Sequence, residues 1–407
     1  MAAFLNPFKP GAGHMPPYLA GREDEKTEFA RLLTQKTILD NLVLTGLRGT
    51  GKTVLLETFK PMAQIARWLW VGTDLSESAS LNEVNIATRL LTDLSVVTSG
   101  IKFAETSAVD GIGFARTEVT TSHTLNYATL VGIYDNTPGL VADKVKTVLE
   151  VVWSALQGTG VSGIVFAYDE AQNLSDHAQK DQYPLSLLLD SFQSIQRKGI
   201  PFMLALTGLP TLFPKLVEAR TYAERMFRVV FLDKLQDTAV SDAIKIPLKD
   251  CPVQLSAPSI DQVTELSGGY PYFVQFICRE VYDVFIQKID DGEKPSVPSN
   301  EILRKLDTDF FVGRWARATD RQRELLGVIS ELSNCDGEFS VQDVVVKSKE
   351  TLEKPFSSSH VNQMLVSLTE AGLIYKNRHG KYSFAVPLLG QFISRQKAEM
   401  LAREQNF

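Results

Sequence analysis

One octapeptide restricts what this chain can fold into more than any other feature. Gly46-Leu47-Arg48-Gly49-Thr50-Gly51-Lys52-Thr53 satisfies G-x-x-x-x-G-K-[ST] at every defined position. It follows a short apolar run, 41–45, and precedes a stretch of helical spacing, 53–59. A loop of this kind needs a buried strand before it and a helix after it. Its glycines let backbone N–H groups turn inward around phosphate oxygens, and the helix N-terminus adds partial positive charge. Lys52 then reaches the β- and γ-phosphates and the Thr53 hydroxyl can bind Mg2+. Gly46 through Val54 are therefore candidate nucleotide-binding residues.

A strand ending in an anion loop demands further strands beside it. The runs 68–72, 163–168, 202–207 and 229–232 read as buried strands, with helices near 23–33, 81–94, 141–156 and 184–197. Strands alternating with helices predict an α/β fold, a parallel sheet flanked by helices. Residues 98–138 differ, being rich in Thr, Ser, Val and Gly with turn signals at Asp110-Gly111 and Asp135-Asn136. They are expected to form an insertion, partly a hairpin. Beyond Asp233 the pattern turns helical, near 236–246, 258–267 and 271–288, and Pro295 and Pro298 then mark a linker. The expected division is a nucleotide-binding domain at 1–232, a helical lid at 233–289, a linker with connecting helix at 290–315 and a C-terminal domain at 316–407.

Bulk properties narrow the partners. The 407 residues, 44 % hydrophobic and 22 % charged, fit two or three globular domains of roughly 150 residues each. A net charge of −6 excludes a generic polyanion binder, so any nucleic-acid contact has to come from a local basic patch. Cys251, Cys278 and Cys335 lie far apart with no CxxC, which points to neither a disulfide framework nor a zinc site. The N-terminal stretch has prolines and glycines where a signal peptide needs an apolar run, and no run of about 18 apolar residues follows. A cytoplasmic protein without membrane association is expected.

The second cluster is Ile164-Val165-Phe166-Ala167-Tyr168-Asp169-Glu170, an apolar strand ending in two carboxylates. At the end of a strand beside a phosphate loop, Asp169 can share the metal with Thr53, and Glu170 can act as general base on an attacking water. Taken alone, the pair also fits a helix N-cap. Thr207 ends the next strand and reads either as a γ-phosphate sensor or as a plain strand-end residue. Arg225 and Arg228 precede the following strand. One of them can serve as a finger in a neighbouring subunit's site, which requires a homo-oligomer, or both can form intramolecular ion pairs.

Together these motifs resemble those of AAA+ ATPases of the branch holding archaeal and eukaryotic origin-recognition initiators, with the signal-transduction ATPases with numerous domains (STAND) as close relatives. Leu19-Ala20-Gly21-Arg22-Glu23 resembles the entry motif of that branch, and Gly268-Gly269-Tyr270-Pro271 its lid. The resemblance implies binding of ATP or ADP with Mg2+. It also implies that the loop from Pro17 to Arg22, with Tyr18, Leu19 and Arg22, wraps the adenine while Pro271 approaches the base from the lid. Initiators carry a sensor arginine in this lid helix, where the present chain has Tyr272. The Gly-Tyr-Pro form is more similar to the signalling branch, whose members hold nucleotide as a switch.

The C-terminal part reads as helices at 320–332, capped by Asp320, at 341–346 and at 357–371, then short β segments at 373–376 and 381–385. Three helices followed by a hairpin predict a winged helix. Its wing carries Lys376, Arg378, His379 and Lys381, and its third helix offers Ser357, Ser358, Ser359, His360, Asn362 and Gln363. That charge suits double-stranded DNA, but a third helix with Glu370 and neither Lys nor Arg equally suits a protein partner.

Overall fold

A computed structural model describes residues 5–110, 116–291, 296–378 and 380–404. They form two compact units. One comprises Glu23–Thr45 and Leu55–Phe231, the other the chain up to Arg22, Gly46–Val54 and the stretch from Leu232 on.

The first unit is an α/β layer structure. Helix α1 (Glu23–Leu32) begins with three acids at its positive end and buries Phe29 and Leu32. Then follow β1 (Asn41–Gly46), α2 (Lys52–Ile65), β2 (Trp68–Val71), α3 (Glu83–Thr98), the pair β3 (Lys102–Asp110) and β4 (Arg116–Thr124), α4 (Tyr127–Asn136) and α5 (Val141–Leu156). Strand β5 (Gly163–Tyr168), α6 (Pro184–Arg197), β6 (Phe202–Gly208), α7 (Leu212–Ala219), α8 (Ala223–Met226) and β7 (Phe227–Leu232) complete it.

Five strands form one sheet in the order β2-β5-β6-β1-β7. β2 pairs with β5, β5 with β6 and β1 with β6, all parallel. Every residue of β1, β5 and β6 is buried, as expected of a parallel sheet covered on both faces. On one face Phe29 stacks on Phe59 at 4.2 Å and meets Trp70 edge-on at 6.2 Å. On the other, Phe166 packs on Phe192 at 4.8 Å and Trp153 on Phe202 at 5.9 Å. Register at the foot of β1 is set by buried Asn41. Its amide donates to the Met226 carbonyl (3.1 Å) and its oxygen accepts from Leu204 N–H (2.7 Å).

Two elements depart from the local sequence pattern. Helix α2 does not stop near Phe59 but runs through Pro61, because Leu55, Leu56, Phe59 and Ala63 bury one continuous face. That burial outweighs the hydrogen bond a proline cannot donate. The insertion holds the expected hairpin, but Asp135-Asn136 closes helix α4, which starts at an Asn126 cap, and makes no hairpin turn. The start of the Asp110-Gly111 turn ends β3, and its remainder lies outside the described residues.

The second unit adds α9 (Asp237–Leu248), α10 (Ala257–Ser267), α11 (Pro271–Asp290), α12 (Ser299–Leu306) and, after a π-helical turn, α13 (Gly313–Trp315). It ends with α14 (Asp320–Ser330), β8 (Phe339–Ser340), α15 (Val341–Thr351), α16 (Ser358–Glu370), β9 (Ile374–Arg378), β10 (Lys381–Phe384) and α17 (Leu389–Glu404). Thr319, not Asp320, caps α14, through a capping box with Gln322. The hairpin β9–β10 gains β8 as a third strand, in the order β8-β10-β9. Helices α9–α13 and the C-terminal segment share one apolar core, from Phe273 and Ile277 through Phe311 and Leu325 to Leu365 and Phe392. Phe311 stacks on Phe392 at 5.2 Å, and Arg395 pairs with Asp307 (Nε–Oδ2 3.0 Å) beside it. Among the described residues no helix is long and apolar enough to cross a membrane.

Candidate functional site

The octapeptide makes the turn from β1 into α2. Gly49 (φ 81°) and Gly51 (φ 87°) adopt left-handed backbone that residues with a Cβ avoid. Gly46 is required for space, since a Cβ there would lie 2.4 Å from the Leu232 carbonyl oxygen. Lys52 Nζ donates to the carbonyls of Gly46 (3.0 Å) and Leu47 (2.9 Å), so its charge sits on its own loop. Buried Thr50 closes the loop by donating its hydroxyl to the Leu47 carbonyl (2.9 Å).

The loop is braced from two sides. Arg22, expected beside the adenine, is buried and donates from Nη2 to the carbonyls of Thr50 (3.0 Å) and Asp233 (2.8 Å). From the lid, Tyr272 N–H at the start of α11 donates to the Gly49 carbonyl (3.1 Å). Pro271 opens that helix, Tyr18 packs on the lid core, and Leu19 is half-buried beside it in sequence. Tyr272, in place of the expected sensor arginine, lies with its ring 5.3 Å from that of Phe310. Arg314 in turn lies over the Phe310 ring at 4.2 Å. Burial, then the charge of Arg48 in the Gly46–Thr53 loop, hold Arg314 below its ordinary pKa.

The carboxylates stand at the end of β5. Asp169 is 5 % exposed. Its carboxylate accepts from Glu170 N–H (2.8 Å), and its backbone is fixed by Thr73 (3.2 Å) and Leu75 (2.9 Å). Glu170 is exposed and has a left-handed backbone (φ 51°, ψ 32°), unusual for a residue with a side chain. Gln172, which belongs to no motif named above, donates its amide to the Glu170 carboxylate. The same side chain accepts at Oε1 from Leu209 N–H (3.1 Å), just past the end of β6.

Thr207 is fully buried in β6, and its hydroxyl has no hydrogen-bond partner among the described residues. Ala167 pairs with Ala205 and Tyr168 with Leu206, so the next positions, Asp169 and Thr207, lie side by side on one face of the sheet. A buried hydroxyl left unpaired costs about 1–3 kcal/mol, so the site gains by meeting an acceptor. Thr45, at the end of β1, has the same unsatisfied hydroxyl.

The two arginines part company. Arg228 pairs with Glu28 (Nε–Oε1 2.7 Å), which Arg31 also holds. Hydrogen bonding from Arg31, aided by Arg228, keeps the Glu28 carboxyl below its usual range. Arg225, on α8, is exposed and makes no ion pair among the described residues. In the C-terminal hairpin Lys381 pairs in register with Arg378, Lys376 is exposed and Lys381 is half-buried, while His379 lies outside the described residues. Helix α16 exposes Ser358, Ser359, His360, Asn362 and Gln363 along one side.

Solved structures resemble the whole chain. The Walker-type ATPase Paby2304 of Pyrococcus abyssi matches with a TM-score of 0.55 at 14 % identity, over 92 % of this chain and 96 % of that one. The ORC2 protein of Aeropyrum pernix in its ADP form matches with a TM-score of 0.54 at 13 % identity, over 98 % and 99 %. Residues 308–393 match a family model described as a domain of unknown function, DUF8462. A comparison with curated proteins finds no match by sequence. The chain shares the fold of these two structures.

Proposed function

We propose that this chain binds ATP with Mg2+ and hydrolyses it as an AAA+ ATPase of the initiator-like branch. The observation that carries this is the conformation of Gly46–Thr53, with left-handed glycines, a lysine folded onto the loop carbonyls and a 14-residue helix beginning at Lys52. Such a loop turns its N–H groups toward an anion. The Walker-type ATPase and the ADP form among the structural neighbours support the same reading.

Each residue then has a task. Lys52 binds the β- and γ-phosphates. Thr53 and Asp169 hold the Mg2+, which when bound neutralises charge on the transferring phosphoryl group. Glu170 takes the proton of the attacking water. Thr207 offers its unpaired hydroxyl to the γ-phosphate. Tyr18, Leu19 and Pro271 line the base, and Arg22 keeps the loop in shape for it. Phosphate release measured with and without EDTA tests the reading. Turnover should vanish with the metal, and metal-independent turnover would reject the roles of Thr53 and Asp169.

Hydrolysis is completed by assembly. Arg228 is engaged by Glu28, so Arg225 is the residue that acts in a neighbouring subunit's site. Turnover per subunit should rise with protein concentration, and Arg225→Ala should lower it at least tenfold with ATP affinity little changed. Concentration-independent turnover by a species that sediments as a monomer with ATP would reject an arginine acting in trans.

The C-terminal helices and three-stranded hairpin act as a winged helix on duplex DNA. Lys376, Arg378 and Lys381 cluster positive charge on a chain of net charge −6. Changing all three to Ala should weaken duplex binding about equally across sequences and flatten the slope of log affinity against log salt by roughly 0.9 per lost phosphate contact. The fold should survive, because charged surface groups contribute little to stability. A second reading, a nucleotide switch whose C-terminal domain docks a protein, is favoured by the link from Gly49 through Tyr272 and Phe310 to Arg314. Absence of duplex binding by the wild type at about 50 mM salt with ATP would favour that reading over DNA.

A further inference from the structure

Glu170 is exposed and stands on a left-handed backbone, so nothing in its own conformation aims its carboxylate. Gln172 supplies what is missing. Its amide orientation follows from chemistry: Leu209 N–H can only donate, so Oε1 faces it (3.1 Å), and the NH2 group faces the Glu170 carboxylate, which can only accept. The backbone of Gln172 is anchored as well. Its carbonyl accepts from Lys215 Nζ (2.6 Å), and the helical turn it belongs to is closed by Asn173 N–H on the Glu170 carbonyl (2.9 Å). Gly208 leaves room for this contact, since a Cβ there would stand 2.6 Å from Gln172 Oε1.

We infer that Gln172 is the positioning residue for Glu170, tying its carboxylate to the end of β6 two residues past Thr207. The inference rests on the reading of Glu170 as the base of ATP hydrolysis. Because one amide group hydrogen-bonds both Glu170 and Leu209, a displacement of Thr207 on meeting a γ-phosphate passes along the strand end to the carboxylate. The bond also leaves Oε1 of Glu170 to take the proton of water while Oε2 is held. Gln172 acts through Glu170 and touches neither nucleotide nor the attacking water.

The test is a double-mutant cycle by phosphate release, with ATP affinity measured by calorimetry. Gln172→Met keeps the length and volume of the side chain and removes both hydrogen bonds. It should lower kcat about tenfold, the effect of losing one hydrogen bond to a charged group, and leave ATP affinity within about twofold. Placed on Glu170→Gln, where the base is already gone, it should change turnover no further. Full turnover in Gln172→Met would overturn the inference, and so would an equal loss in both backgrounds, because the side chain would then act apart from Glu170. Wild-type turnover in Glu170→Gln alone would instead remove the base assignment beneath it, an outcome distinguishable from either.

Discussion

Lys52→Ala is expected to lower ATP affinity roughly a hundredfold while the protein without nucleotide stays folded. On the proposed reading the ammonium supplies charge-assisted hydrogen bonds to phosphate oxygens, worth about 1.5–3 kcal/mol each, and alanine supplies none. In the structure that ammonium rests on the carbonyls of Gly46 and Leu47. The shape of the loop does not depend on it alone. Gly49 and Gly51 set the backbone, Arg22 holds the Thr50 carbonyl, and Tyr272 N–H holds that of Gly49. The melting temperature without ligand should therefore move by only a few degrees. The stabilisation that ATP gives the wild type, about 2.7 kcal/mol at a hundred times Kd, should nearly disappear at the same concentration. Calorimetry and thermal melting measure both, and unchanged affinity would sink the nucleotide assignment.

Glu170→Gln should bind ATP as the wild type does and hydrolyse it on the order of a hundredfold more slowly or worse, the usual contribution of a general base. Glutamine keeps the size of the side chain and a hydrogen-bonding group, so binding is preserved while the proton acceptor is lost. Since Glu170 is exposed and its backbone is already left-handed, the substitution disturbs no core packing. A normal melting curve with slow phosphate release is the expected pair of results, and wild-type turnover would remove Glu170 from the role.

The sequence alone determined the elements whose cause is local. The turn from β1 into α2 follows from its glycines, two of which take the left-handed backbone. The bounds of α5, α6 and β5 follow from apolar periodicity and flanking breakers, and Val141–Leu156, Pro184–Arg197 and Gly163–Tyr168 form as their spacing predicts. The order of motifs implied a parallel sheet, because helices between strands leave few other connections. Tertiary structure decided whatever depends on partners distant in the chain. Helix α2 runs through Pro61 because a buried face outweighs a missing donor. Arg228 is bound to Glu28, two hundred positions earlier in the numbering, which no local pattern reveals. Gln172 matters through one bond to Leu209 and one to Glu170, and Tyr272 through its backbone N–H, a group every residue but proline carries. Side-chain type announces chemistry that needs a particular atom, such as an ammonium or a carboxylate. Where the chemistry is a backbone donor, an amide bridge or an unpaired hydroxyl like that of Thr207, the residue type is common and only its buried surroundings give it a role.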